Sequence, residues 1–188
     1  MDLPSEIIER LEAGNARFVA DEVESPRRDR ERRKDLTQGQ APAAIVLSCA
    51  DSRVAPELVF DVGLGELFVV RVAGNIANTS TVASIEYAVA HLGASLIVVM
   101  GHESCGAVAA AIAGGDGGYN LNHLLTHITP ALAASGDDAV DAVVKKNAEL
   151  TAAELAARSK IIGSAVAEGR LSVVPAFYEI GSGKVTFS

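Results

Sequence analysis

The residue types able to do chemistry gather in two short segments. Cys49 opens Cys49-Ala50-Asp51-Ser52-Arg53, and Gly101-His102-Glu103-Ser104-Cys105-Gly106 supplies a histidine and the second cysteine. Two cysteines in the whole chain are too few for a disulfide framework, which leaves inert core thiols, one redox pair, or metal ligands. Thiolate and imidazole together suit a borderline-soft ion such as zinc. Three protein ligands with a fourth position open is the pattern of catalytic zinc. A carboxylate two residues beyond a ligand, as Asp51 is beyond Cys49, needs a cation to hold it off the metal. Arg53 is a fixed-charge, bidentate partner for that task. Thiol chemistry of the tyrosine-phosphatase kind fits poorly, because only three residues separate Cys49 from Arg53. A closed structural zinc module needs a fourth permanent ligand, and Asp51 beside Arg53 is a poor one.

The elements that must position these residues are legible as short β-branched runs. Residues 43–48 (AAIVLS), 67–72 (LFVVRV) and 96–100 (LIVVM) predict strands buried on both faces, as parallel strands are. Helices are expected at 56–60, with Pro56 in the first turn, at 80–92 ending before Gly93, and at 105–113 ending at Gly114-Gly115. Residues 137–168 read as helix-rich with a break at Gly163, and 171–174 and 185–187 as closing strands. Strands alternating with helices predict an α/β fold, a mainly parallel central β-sheet flanked by helices. Cys49 then follows the first strand, Arg71 lies near the end of the second, and His102 and Cys105 follow the third. All meet at the carboxyl edge of the sheet, where such folds bind ligands.

At 188 residues the chain is expected to form a single domain. Residues 1–36 read as an N-terminal helical arm and charged linker, and 40–188 as the metal-binding core. Ser5 is the expected N-cap of a helix over 5–20 that packs on a partner subunit. The basic cluster from Arg27 to Lys34 is interrupted by Asp29 and Glu31 and reads as a solvated, salt-bridged connector. A net charge of −8 argues against nucleic-acid or anionic-membrane partners. No apolar run reaches the ~18 residues of a membrane span and no signal peptide is visible, so a cytoplasmic location is expected. His91, His123 and His127 are candidate proton carriers by ordinary pKa alone. The run Gly114-Gly115-Asp116-Gly117-Gly118 follows a helix, so it reads as a connector and not as a phosphate loop.

The segments C-A-D-S-R and G-H-E-S-C-G resemble the two signatures of the β-class carbonic anhydrases. The likeness extends through Gln40-Ala41-Pro42, Gly65 to Arg71 and Ala83 to Ala88. This resemblance implies that Cys49, His102 and Cys105 bind Zn2+, with Asp51 and Arg53 as the catalytic pair. Asp51 would be a conditional fourth ligand in a closed form. It further implies reversible hydration of carbon dioxide to bicarbonate and a proton, by attack of zinc-bound hydroxide on CO2. Gln40, Phe68 and Tyr87 would reach the substrate from a second subunit, in a homodimer or dimer of dimers, and Gly106 would offer a backbone N–H. Two thiolates leave the zinc site formally neutral, so activity is expected to rise through the weakly alkaline range. One branch of the family has a regulatory bicarbonate pocket built on a tryptophan. Val46 stands at that position here, Ser48 replaces a glycine common in that branch, and only Arg71 and Tyr178 match, so such regulation is not expected. Related enzymes act on carbonyl sulfide or carbon disulfide, and parallel assays separate these substrates.

Overall fold

The computed structural model describes residues 2–188. Its centre is a five-stranded sheet in the order β2-β1-β3-β4-β5: β1 (Ala44–Ser48), β2 (Leu67–Arg71), β3 (Leu96–His102), β4 (Ser172–Tyr178) and β5 (Val185–Phe187). The first four are mutually parallel and β5 runs antiparallel to β4. β1 and β3 are buried at every residue, which explains their unbroken apolar sequence.

Side chains alternate between two layers. Ile45, Leu47, Ile97 and Val99 face α4 (Thr79–Tyr87), α8 (Val140–Arg158) and α9 (Lys160–Ala167). Ala44, Val46, Leu96, Val98 and Met100 face α1 (Pro4–Val19) and α3 (Pro56–Val59). Ile7 and Leu11 of α1 are buried in this second layer. Asn15 of α1 donates to the carbonyls of Val59 and Gly183 and accepts from the N–H of Val185. The N-terminal helix is therefore part of the core of its own chain, which corrects the expectation that it packs on a partner instead. It also starts at Pro4, with Ser5 inside the first turn, because proline's fixed φ suits the first helical position and Glu6 accepts from the N–H of Leu3.

The linker carries α2 (Arg30–Asp35). Arg28 and Arg32 donate to the carbonyls of Val62 and Leu64, and Arg27 pairs with Glu66. The basic cluster thus fastens the linker to the turn before β2. The expected helix at 80–92 is α4 followed by a wider π-turn over 88–92, closed by Gly93 at φ 72°. The break in the C-terminal helical region falls at Ser159, which caps α9 by accepting from the N–H of Ile162, and not at Gly163. That glycine lies inside α9, where an added Cβ would stand 2.6 Å from the Ala156 carbonyl oxygen.

Candidate metal centre

β3 runs two residues past its predicted end, because Gly101 and His102 pair in register with Phe177 and Tyr178 of β4. His102 is thus the last residue of the strand. Cys105 caps α5 (Gly106–Ala113), and Cys49 directly follows β1. The Sγ atoms of Cys49 and Cys105 and a ring nitrogen of His102 all lie within 4.8 Å of one another, and the three residues are buried. Both thiols are free, so no disulfide joins them. Ile76, Val108, Ile128, Ala131 and Phe177 surround them. Two helices that the sequence reading did not delimit, α6 (Tyr119–Thr126) and α7 (Thr129–Ser135), supply part of this apolar cover.

The donor set fits a soft divalent ion on its own chemistry. His102 Nδ1 lies 2.9 Å from the Glu103 carbonyl oxygen, which only an N–H can satisfy. In the neutral ring this leaves the Nε2 lone pair free, and Nε2 is buried with no hydrogen-bond partner. A buried acceptor without a partner is costly, and a metal ion relieves that cost. Its contact with Cys105, above all, and the N–H of Gly74 hold the Cys49 thiol well below the ordinary range against the upward push of burial. Cys105 is pushed up, chiefly by the same contact with Cys49.

Asp51 lies beside this cluster with its Oδ2 3.9 Å from His102 Nε2. Arg53 donates from Nε to Oδ1 at 2.9 Å and from its terminal nitrogen to Oδ2 at 2.7 Å, a bidentate pair. Arg53 is the main reason the Asp51 carboxyl is held far below the usual carboxylate range. The segment is fixed from behind by Arg71, which donates to the carbonyls of Cys49 and Asp51. Gly74, at φ 70°, donates its N–H to Cys49 Sγ and has its carbonyl held by Asn147 of α8. That φ favours glycine, and a Cβ there would also stand 2.8 Å from the Cδ1 tip of Ile128. Asn147 and Gly74 were not singled out from sequence, because their part is to hold backbone across a separation of 73 residues.

The remaining predicted residues are dispersed. Gly106 is exposed at the start of α5, with open space where a Cβ would be. Gln40 is exposed in the segment before β1. Phe68 pairs in register with Ile45, near the opposite end of the strands from Ser48, so at ~3.3 Å per residue it lies roughly 10 Å along the sheet from that edge. Its ring neighbours Tyr87, half exposed, with centroids 6.4 Å apart. Phe68 and Tyr87 thus form a separate apolar corner. His91 packs against Tyr87, while His123 of α6 pairs edge-on with His127, the residue that ends that helix. Among the described residues none of these histidines hydrogen-bonds to the cluster. Val46 is buried in the core and Tyr178 is buried beside β5.

Comparison with known proteins gives a consistent result. The family model described as carbonic anhydrase matches residues 44–185. Carbonic anhydrase 2 of Mycobacterium tuberculosis is 41% identical over 182 residues, covering 93% of this chain and 87% of that protein. The β-carbonic anhydrase CcaA superposes with a TM-score of 0.78 at 28% identity, covering 96% of this chain and 94% of that one. A tetrameric β-carbonic anhydrase from Sordaria macrospora superposes at 0.76 with 30% identity, covering 82% and 84%.

Proposed function

The chain belongs to the β-class carbonic anhydrases, and from that premise we propose that it catalyses zinc-dependent, reversible hydration of carbon dioxide to bicarbonate and a proton at Cys49, His102 and Cys105. The observation that carries the reading is the buried, partnerless Nε2 of His102 facing two free thiols and an ionised Asp51. A zinc ion bound there supplies the Lewis acidity that lowers the pKa of water. The rest is the work of the chain. The two sulfurs and Nε2 hold the ion. The Asp51 carboxylate, turned toward Arg53, accepts a hydrogen bond from the attacking oxygen and thereby fixes which lone pair faces the carbon. Released by Arg53, the same carboxylate could close the fourth position. The apolar cover around Cys49 and Cys105 keeps bulk water from the ion, and the N–H of Gly106 is placed to contact the bicarbonate product at a helix start.

The distance of Phe68 from its own Cys49 edge supports a site completed by a second copy, whose Gln40, Phe68 and Tyr87 line the substrate space. A homodimer or dimer of dimers follows, in keeping with the tetramer named for the Sordaria relative. Two thiols that must stay reduced suit the cytoplasm, and no helix among the described residues is long and apolar enough to cross a membrane.

The test is metal analysis beside stopped-flow CO2 hydration. The parent should hold about one zinc per chain, Cys49→Ala should lose both metal and turnover, and Asp51→Ala should keep metal while turnover falls at least ~10-fold. Full activity in a zinc-free parent would overturn the reading.

A further inference from the structure

Ser104 stands between the two ligands His102 and Cys105 and has φ 53°, a left-handed conformation that a residue other than glycine keeps only when its surroundings impose it. Two charged side chains do so. Its N–H donates to Asp141 Oδ1 at 2.9 Å, and its carbonyl accepts from the Arg53 terminal nitrogen at 3.4 Å. That same nitrogen donates to Asp51 Oδ2. Asp141 belongs to the first turn of α8, 37 residues from Ser104. The contacts therefore run from a helix start through the backbone of the ligand loop to the guanidinium that holds Asp51.

We propose that Asp141 is a positioning residue: by holding the Ser104 N–H it aims the Ser104 carbonyl at Arg53, and so keeps Arg53 turned to hold Asp51 away from the metal position. The proposal rests on the zinc reading above. With Arg53 loosened, Asp51 Oδ2 has only a short distance to travel, since it already lies 3.9 Å from His102 Nε2. The fourth position would then be filled from within the chain.

The experiment uses the full-length protein loaded with cobalt, whose visible absorption reports the coordination number, with thiocyanate as the probe of an open position. Zinc-loaded samples give kcat in parallel. Asp141→Ala removes the acceptor, and Asp141→Ser draws it back by shortening the side chain while keeping a residue favoured at helix starts. Both should lose most of the thiocyanate-induced spectral change, and kcat should fall about 10-fold. Asp141→Asn keeps an acceptor oxygen and should restore most of both signals. If the alanine and serine variants bind thiocyanate and turn over as the parent does, Asp141 only supports α8, whatever their melting temperatures, and the proposal is overturned. A parent lacking thiolate-to-cobalt absorption overturns the zinc reading as well, and that result is distinct because every variant then shares it.

Discussion

Asp51 keeps its charge because Arg53 meets it with two parallel donors, a geometry a lysine cannot reproduce. Arg53→Lys should therefore retain zinc, measured by metal analysis, while kcat for CO2 hydration drops ~10-fold or more. Unchanged turnover would show that a point charge suffices. A second carboxylate, Asp61, does structural work. It is buried and accepts from Arg17, from the N–H of Glu24 and from the N–H of Ser25, joining α1 and the linker to the turn before β2. Asp61→Ala should cost about 2–3 kcal/mol by urea denaturation, less than a fully buried pair because Arg17 is partly exposed. Burial alone would raise the Asp61 carboxyl, but Arg17 and the two N–H groups outweigh it and the pKa is lowered. A group depressed by folding stabilises above its unfolded pKa of ~3.9 and loses that contribution as pH falls through its folded value. The gap between parent and variant should thus be full at neutral pH and shrink only under acid. The ligand motifs were legible in the sequence because each packs its reactive residues into five or six consecutive positions. Asp61, Asp141 and Asn147 were not, since each acts on backbone groups 36 to 73 residues away.

Between elements, the sheet was more legible than its cover. Three strands stood out as β-branched runs, but β4 was cut short at Pro175, a residue that argues against a strand interior. The strand tolerates it because Pro175 lies opposite Ser188, just past the end of β5: its carbonyl accepts from the Ser188 N–H, and the only bond forgone is the one its own N–H would have made at that margin. α6 and α7 were not delimited from sequence. Neither is longer than eight residues; α6 lacks the proline start and the double-glycine end that marked the short α3 and α5, and the proline in the first turn of α7 was passed over. Gly163 was taken for a helix break on composition, whereas its part is to let α9 approach α8. Gly163→Ala gains ~1 kcal/mol of helix propensity but drives a methyl into the Ala156 carbonyl. Overpacking of that kind costs ~1–3 kcal/mol, so a net loss near 1 kcal/mol is expected in equilibrium unfolding. A more stable variant would mean that the two helices part readily.

For the molecule as a whole, the question is which copy completes which site. Co-expressing a Cys49→Ala chain with a Tyr87→Ala chain should yield hybrids in which one site has intact ligands and an intact Tyr87 from its neighbour, restoring about half the parental activity per dimer. No recovery in the isolated hybrid would place Tyr87 in service of its own chain. The pairing of His102 with Tyr178 carries a consequence for biosynthesis. The strand that flanks the histidine emerges from the ribosome only after residues 106–178 have followed Cys105, at roughly 5–20 residues per second. For some seconds the nascent polypeptide carries both thiols with no finished pocket around them, so a scavenging oxidant has its best opportunity during translation, before the mature protein exists.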